Sequence, residues 1–562
     1  MRVVLAVCGL LCFPATIACD SARPVAADAG AVAVPVVAAP MPDRLVAEFT
    51  LRNPKEAWGA FRSGIGGTVN LLADSPAQVI ANAVGVDPGI SAALLQDAPI
   101  VGLVSSTEGH DPLVVLAVEL GNVGKVLSDA GAPPSSGALV PLSSKGAGMR
   151  VAIAKRGYLI VGIGAGATDD ELQRLSPYLL TKVAVDARRP VVLAGSIANR
   201  RTETGLWITG RDALMVEGKR NVELNVSAAK TALEDADKRQ REAKGGRAPD
   251  FGDPEALIAK LVEGKDTLIK LVDQLAQVNA FVGSRDGEFV VDVELDPKPG
   301  SEFETTVKTS KTCAADAIGD EPQQSVVAYL VCESESDRKK SADAQVALVA
   351  NVLGNRGGEE KKIIQVLAKT WADARGDRLT ASLTLTGEDG RSFRIISPLG
   401  RVESADAARA ALRDLWKRPL VSDALHAKFG GEQKLEGGTY ALSIKRKTAP
   451  KELQVIWSTD HNQLLIAGTE NVDASKIATL RSPKTKLIDA GTLSRELKLL
   501  DKDVLTAVVV QPLLVMVTKQ QLTPQASMLS LSRDPSSERL VARAVMPMAL
   551  ARELIKLRTS TE

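Results

Sequence analysis

Three histidines are the side chains best suited to acid–base chemistry, and two of them stand beside an aspartate. His110 precedes Asp111, and His461 follows Asp460. An aspartate can orient an imidazole as a general base, so these pairs make a hydrolase one hypothesis. Both pairs fall at predicted hairpin turns, where Asp and His are common, and no GxSxG or HExxH motif marks a nucleophile or a zinc site. We expect no catalytic residue, no metal site and no cofactor.

A glycine-rich segment, residues 162–168 (GIGAGAT), lies between a predicted strand and a predicted helix. The backbone N–H groups of such a loop and the helix dipole attract phosphate. No Lys-Ser/Thr pair follows Gly166, however, and the corresponding residues 467–470 read AGTE. We therefore interpret the segment as a tight strand-to-helix turn, with a nucleotide site as the weaker alternative.

The N-terminal residues read MRVVLAVCGLLCFPATIAC. A single Arg2 precedes the apolar residues 3–13, which are too few to span a bilayer, since that needs about 20 residues. The segment resembles a bacterial lipoprotein signal peptide, in which the cysteine after the cleavage site receives lipid. The resemblance covers residues 1–19 and departs from the pattern at residues 16–17. It implies cleavage after Ala18 and a membrane anchor on Cys19. Ordinary secretion, cut after Ala18 or Ala29, is the alternative.

Residues 19–42 are rich in Ala, Val and Pro and predict a tether that holds the rest of the chain away from a membrane. A leader without a role is the alternative interpretation. The expected location is the cell envelope, facing the periplasm or the cell surface, or the exterior if the protein is secreted.

Two cysteines remain after the N-terminal segment, Cys313 and Cys332. Residues 326–331 predict an apolar strand that ends at Cys332, and Cys313 lies 19 residues earlier. An even pair in an exported protein predicts a disulfide, which would stabilise the fold by about 3 kcal/mol in the chain-entropy model. Two free buried thiols are the alternative.

The composition excludes some classes of function. The chain of 562 residues has 69 basic and 68 acidic side chains, which argues against a nucleic-acid partner because such proteins normally have a basic excess. Aromatic residues make up only 3%. Base-stacking surfaces and large aromatic sugar clefts are therefore unexpected.

Apolar and polar residues alternate along the predicted strands. Residues 288–296 and 381–386 follow this pattern, which is typical of an antiparallel sheet with one face in the core. Residues 191–197 are apolar throughout and predict a central strand. Helices are expected over the dry faces, so the predicted fold class is α+β.

The order of predicted elements repeats along the chain. The opening strands begin at Leu45 and Val326 and the first hairpins at Ile100 and Ala381, and both shifts are 281 residues. We predict two tandem duplicated domains of hairpin-plus-helix units. The expected divisions are a signal peptide at 1–18, a tether at 19–42, a first domain at 43–310 and a second at 311–562.

An insertion at residues 226–278 has no counterpart in the second half. It predicts a helical hairpin whose second helix carries an apolar stripe from Leu257 to Val278. This stripe either packs on the first domain or forms an arm that binds a protein partner or a second copy.

These patterns lead to three hypotheses for function. The first is an exported, membrane-tethered lipoprotein with a non-catalytic binding or scaffold role in the cell envelope. The second is a carrier that holds a hydrophobic or lipid ligand in an apolar cavity between sheet and helices. The third is an envelope hydrolase that uses His110 or His461.

Overall fold

A computed structural model describes most of the chain from residue 38 onward. It leaves out residues 1–37, 66–72, 108–109, 130–137, 144–147, 189–203, 243–253, 286–287, 354–356, 385–391, 425–426, 447–452, 471–473, 491–492, 494–496, 498–501, 512–524, 535–537, 551 and 554–562. The predicted signal peptide, Cys19, His426 and the strand predicted at 191–197 therefore lie outside the described residues.

The chain forms two compact units. Unit 1 comprises Met1–Asn221, Leu271–Glu304 and Asp534–Glu562, and unit 2 comprises Val222–Lys270 and Thr305–Arg533. Residues 534–562, which the sequence placed in the second domain, thus belong to unit 1, and residues 222–270 belong to unit 2.

The fold is α+β, as predicted, with 21 strands and 14 α-helices among the described residues. All strand pairings described below are antiparallel. The helices are α1 (Pro54–Ile65), α2 (Pro76–Val84), α3 (Pro88–Ala92), α4 (Val123–Asp129), α5 (Asp169–Tyr178), α6 (Ala184–Arg188), α7 (Asp212–Glu242), α8 (Pro254–Asp273), α9 (Glu302–Thr309), α10 (Glu335–Leu353), α11 (Gly358–Ala374), α12 (Val402–Trp416), α13 (Pro419–Ala424) and α14 (Ala474–Arg481).

Unit 1 contains ten strands in one continuous pairing order, β4-β5-β6-β3-β2-β1-β7-β8-β9-β21. Their bounds are β1 (Leu45–Arg52), β2 (Ile100–Thr107), β3 (His110–Glu119), β4 (Leu139–Leu142), β5 (Met149–Ala154), β6 (Tyr158–Ile163), β7 (Gly205–Gly210), β8 (Leu275–Arg285), β9 (Glu288–Pro297) and β21 (Leu540–Pro547).

Unit 2 contains nine strands in the pairing order β14-β15-β16-β17-β13-β12-β11-β19-β20, and a separate pair β10-β18. Their bounds are β10 (Cys313–Ala314), β11 (Ser325–Cys332), β12 (Arg378–Thr384), β13 (Ser392–Pro398), β14 (Ala427–Lys434), β15 (Thr439–Arg446), β16 (Leu453–Ser458), β17 (Gln463–Glu470), β18 (Asp503–Val504), β19 (Thr506–Val510) and β20 (Ser527–Arg533).

The unit 1 sheet has apolar cores on both faces. One core packs side chains of β1, β2 and β3 against α2, and the other packs β2, β3 and β6 against α5 and the segment that follows it. Thr168 caps α5, since its hydroxyl accepts a hydrogen bond from the Glu171 amide at 3.2 Å. A π-helical turn, Leu179–Val183, joins α5 to α6 without a break.

The unit 2 core lies between the sheet and α12. The helix presents Ala405 and Ala408, which are fully buried, to Leu442, Val455 and other apolar side chains of the sheet. Small side chains at these positions let the helix approach the strands closely. The repeated alanine spacing at i and i+3 is the sequence pattern that places both on one helical face.

Several predicted boundaries need correction. The sequence predicts a helix from Ala405 capped by Ser404, but α12 begins at Val402, so Ser404 lies inside its first turn and does not cap it. Helix α7 begins at Asp212, 14 residues before the predicted insertion at 226. Leu275, assigned to the helical stripe, begins strand β8 instead. The helix ends at Asp273, and the backbone oxygen of Gln274, which follows it, accepts a hydrogen bond from the Lys298 amide.

Candidate functional site

Unit 1 has a cavity of about 270 Å³ between its sheet and the helical segment that ends in α6. Strands β1, β7 and β8 form one wall, and the π-helical turn with α6 forms the other. Because strand residues alternate between faces, Glu48 and Thr50 point to the side opposite Phe49. Their cross-strand partners on β7 are Thr209 and Trp207.

The wall formed by the sheet is mostly polar. Thr209 pairs in register with Asn279 on β8, so the polar residues of three neighbouring strands share this face. Asn279 is buried, and its side chain accepts a hydrogen bond from Gln277 at 2.9 Å. The cavity is therefore suited to a ligand with hydrogen-bonding groups.

Glu48 is the centre of a hydrogen-bond network in this cavity. Its Oε1 accepts a hydrogen bond from the Tyr178 hydroxyl at 2.5 Å and forms an ion pair with Arg211 Nη2 at 2.7 Å. Burial raises the pKa of Tyr178, and the hydrogen bond to Glu48 raises it further. Burial disfavours the charge on Arg211, but the hydrogen bond and the charge of Glu48 outweigh it and raise its pKa.

Trp207 supplies the aromatic surface of the same wall. Its ring packs on Phe281 with a centroid distance of 4.5 Å. The indole Nε1 is buried and has no hydrogen-bond acceptor among the described residues. On the opposite wall Lys182 pairs with Asp186, whose backbone oxygen accepts a hydrogen bond from Arg52. π-helical turns such as the one that carries Lys182 are rare and frequent at functional sites.

Unit 2 has a second cavity, of about 330 Å³. Strands β12 and β13 form its floor. The 3₁₀ helix Ala315–Asp320, the turn before β17 and the segment after α14 form its sides. Four basic side chains, Arg378, Arg394, Arg481 and Lys486, line this cavity, with Asp320 as the one carboxylate among its lining residues.

The structure places one of the predicted histidine pairs at the second cavity. His461 lines the cavity, and its Nε2 lies 3.4 Å from Asp460 Oδ2. The side chain is 68% exposed and sits in a turn where its φ is 57°. Asp460 also lies 3.5 Å from Arg481. His110 begins β3, and its side chain is outside the described residues.

The glycine-rich segment forms a turn between β6 and α5. Gly164 has a φ of 132°, which glycine adopts without strain, and its amide donates a hydrogen bond to the Gly148 oxygen. Gly162 lies against the side chain of Leu172, so a Cβ there would meet the helix. Backbone conformation therefore explains the glycine at 164, and packing against the helix explains the glycine at 162.

The predicted disulfide is confirmed. Cys313 and Cys332 are bonded, with a Cα–Cα distance of 5.9 Å. The bond links β10 to the end of β11, and Cys332 is buried. Because β10 pairs with β18, the link also fixes the segment that leads into β19.

Sequence reasoning missed both cavities. β7 was not predicted, although the sequence GLWITG (205–210) alternates in character and contains Trp207. The arginines of the second cavity come from positions 378, 394 and 481, which are far apart in sequence. Only the pairing of β12 with β13 places Arg378 and Arg394 on one face.

Comparisons with known proteins leave the family open. No protein-family model matches the chain, and no curated protein matches it. Two solved structures, crystal forms I and IV of TP0453, align with TM-scores of 0.21 each. Their identities are 10% and 11%, over 42% and 44% of this chain and 96% and 98% of theirs. Likenesses at this level carry no argument about function.

Two further features concern the described residues alone. None of the helices there is both long and apolar enough to cross a bilayer. Within the same residues, no group of three or more His, Cys, Asp or Glu side chains is arranged to hold a metal ion.

Proposed function

We propose that this protein is an exported lipoprotein, tethered through Cys19, with a non-catalytic binding role in the cell envelope. The cavity of unit 1 is the proposed binding site, and its ligand is a small polar molecule. The single observation that carries the binding role is the polar wall of β1, β7 and β8 facing the π-helical turn, whereas the tether rests on the resemblance of residues 1–19 to a lipoprotein signal peptide.

The chemistry of this cavity favours binding over catalysis. Glu48 Oε1 is occupied by the Tyr178 hydroxyl and the Arg211 guanidinium, so this oxygen is engaged in holding the walls together. Lys182 and Asp186 neutralise each other in the same way. Charges that are already paired fix the shape of a site and orient ligand groups, whereas a general base needs an available lone pair.

The internal duplication forms part of the proposal. Strands β5-β6-β3-β2-β1-β7-β8 of unit 1 and β16-β17-β13-β12-β11-β19-β20 of unit 2 have the same pairing order and the same order along the chain. In both units the opening strand pairs with the first strand of the hairpin on one side and with a late strand on the other. This supports two copies of one ancestral domain.

A protein partner on the long helices is the second candidate function. Leu268 on α8, within the predicted insertion 226–278, is 50% exposed, and Leu224 on α7, just before the insertion, is 58% exposed. Exposed leucines on neighbouring helical segments are what the predicted arm requires. Neither cavity favours the alternative of a lipid carrier, since both have charged linings and 270–330 Å³ is at the lower limit for drug-sized ligands.

The experiment begins with protein purified from its own membrane fraction. Mass spectrometry under denaturing conditions measures lipid on Cys19, and Cys19→Ser is expected to move the protein to the soluble fraction. Native mass spectrometry then measures retained ligand. Thr209→Phe, which fills the unit 1 cavity, is expected to lose that ligand, whereas Thr231→Phe on the exposed surface of α7 keeps it.

Each part of the proposal has its own opposing result. An unlipidated protein that stays soluble contradicts the tether. A retained species that survives Thr209→Phe contradicts the assignment to the unit 1 cavity. Turnover of a candidate substrate that is lost in His461→Ala would instead favour the hydrolase.

A further inference from the structure

The second cavity, in unit 2, carries an inference that is independent of the function proposed for unit 1. Its floor is one face of two paired strands. Ser382 on β12 pairs with Arg394 on β13, and Thr380 pairs with Ile396. Because side chains alternate along a strand, Arg378 and Arg394 both lie on the face that forms the cavity floor.

Arg394 is a buried cation without a hydrogen-bonded carboxylate among the described residues. The residue is 5% exposed. Its two terminal nitrogens donate to backbone oxygens, Nη1 to Asp320 at 3.3 Å and Nη2 to Arg481 at 3.4 Å. Its Nε is buried and has no acceptor there.

The carboxylate nearest to Arg394 makes only a long ion pair with it, and its Oε1 is buried without a hydrogen-bond donor among the described residues. Glu321 Oε2 lies 3.8 Å from Arg394 Nη1, which is beyond hydrogen-bond distance, and accepts a hydrogen bond from the Ser382 hydroxyl at 2.6 Å. Burial lowers the pKa of Arg394, because the desolvated charge is only partly compensated. An anion in the cavity would supply the missing compensation.

Two more arginines converge on the same space. Arg378 is exposed on the cavity side, and its guanidinium makes no ion pair or hydrogen bond with the part of the chain that the structure describes. Arg481 donates to the Ser458 hydroxyl at 2.8 Å and keeps a buried Nε without an acceptor among those residues. Lys486 pairs with Asp320 at 2.8 Å at the edge of the cavity.

We propose that the unit 2 cavity is an anion-binding site for a phosphate group, held by Arg378, Arg394 and Arg481. Guanidinium groups bind the oxygens of a phosphate in pairs, with hydrogen bonds that are shorter and stronger than neutral ones. The cavity of about 330 Å³ admits a phosphate with a small substituent. The phosphate comes either from a free phosphate compound or from the headgroup of a lipid.

The test measures binding of two probes that share this group, inorganic phosphate and dihexanoyl phosphatidic acid, by isothermal titration calorimetry. We expect saturable binding to one site, weakened by added sodium chloride because salt screens the attraction. Arg378→Gln is expected to lower the affinity about tenfold or more. Arg401→Gln is the matched control, since Arg401 is also an exposed arginine of unit 2 but does not line the cavity.

The two probes separate the two sources of phosphate. Binding of inorganic phosphate at least as tight as that of the lipid indicates a free phosphate compound, and much tighter binding of the lipid indicates a headgroup. The proposal is overturned if neither probe binds saturably, or if Arg378→Gln and Arg401→Gln bind alike. Arg378 is exposed, so its replacement tests the site without removing a buried side chain. Failure here leaves the unit 1 experiment unaffected.

Discussion

The hydroxyl of Tyr178 donates a hydrogen bond to Glu48 Oε1 across 2.5 Å. Tyr178 is the last residue of α5, and Glu48 lies in the middle of β1, so the bond joins the helical wall of the unit 1 cavity to its sheet wall. Arg211, just after β7, binds the same oxygen. Three elements are therefore held together by one carboxylate.

This relationship predicts how stability depends on alkaline pH. The pKa of Tyr178 is raised in the folded protein above its ordinary value of about 10. The folded protein thus keeps the phenol proton to higher pH than the unfolded chain does. The resulting stabilisation is complete below pH 10 and is lost as the pH rises towards the folded pKa.

Tyr178→Phe is the variant that measures this effect. At pH 8 we expect it to lower the free energy of unfolding by about 2 kcal/mol, because a hydrogen bond to a charged group is lost. The difference from the wild type should narrow between pH 10 and 11.5 in urea titrations. A difference that is constant over this range would show that the phenol proton is not linked to folding. Tyr440→Phe is the control, since it removes a tyrosine hydroxyl from unit 2 and leaves the bond between Tyr178 and Glu48 in place.

The disulfide gives a second prediction. Replacing Cys313 and Cys332 together by serine should lower the free energy of unfolding by about 3 kcal/mol, since the bond closes a loop with a sequence separation of 19. Guanidinium denaturation of the oxidised protein, the reduced protein and the double variant measures this. Reduction should affect the wild type alone. Equal stability of all three samples would mean that the loop is already ordered without the bond.

A third prediction concerns the close approach of Phe49 to Gly102. These residues pair across β1 and β2, and a Cβ on Gly102 would overlap the ring of Phe49. Gly102→Ala should therefore lower the free energy of unfolding by about 1–3 kcal/mol through overpacking. Thermal or urea unfolding provides the measurement.

Gly59 in α1 is the matched control for this substitution. A Cβ there meets nothing within 4 Å, and the residue is exposed. Gly59→Ala should raise stability by about 0.5–1 kcal/mol, because alanine favours the helix. If Gly102→Ala were as stable as Gly59→Ala, the ring would have to move aside at little cost.

The fourth prediction concerns the ion pair between Asp292 and Arg543. These residues pair across β9 and β21, with Arg543 Nε 2.6 Å from Asp292 Oδ1, and both side chains are almost completely buried. Asp292→Ala should cost about 3–5 kcal/mol, because it leaves a buried charge without this partner. The double variant Asp292→Leu, Arg543→Met should recover most of that loss.

An exposed pair provides the comparison. Lys362 and Glu359 lie 3.1 Å apart on α11 with side chains 75% and 61% exposed. Glu359→Ala should change the free energy of unfolding by less than about 1 kcal/mol. Urea titrations of the wild type, Asp292→Ala, the double variant and Glu359→Ala measure these free energies of unfolding. A double variant as unstable as Asp292→Ala would show that shape at this site matters more than charge.

Local patterns in the sequence predicted much of the fold. The Thr-Asp-Asp-Glu start of α5 and the alternation in β9 depend on neighbouring residues only, so these elements were found. The start of α7 at Asp212 was missed because the residues after 212 carry mixed charge and no clear apolar stripe. β7 was missed because it is short, and because the central strand was predicted at the more apolar residues 191–197.

The binding cavities depend on register, and no local pattern encodes it. Glu48 contacts Arg211 and Tyr178, which are 163 and 130 residues away. Arg394 donates to oxygens of residues 74 and 87 positions away. Periodicity gives the face of a strand but not its partner strand, so charged residues that look solvent-exposed in sequence can meet in one cavity.

The π-helical turn at Leu179–Val183 lets the wall of the unit 1 cavity absorb a change of one residue in its length. A π-helical turn closes i→i+5 hydrogen bonds and so holds about one residue more than an α-helical turn. Deleting one residue from this turn would let it close as a regular α-helix, with little rotation of α6. Deleting one residue from α6 before Asp186 would instead rotate the residues after it by about 100° and turn Asp186 away from the cavity.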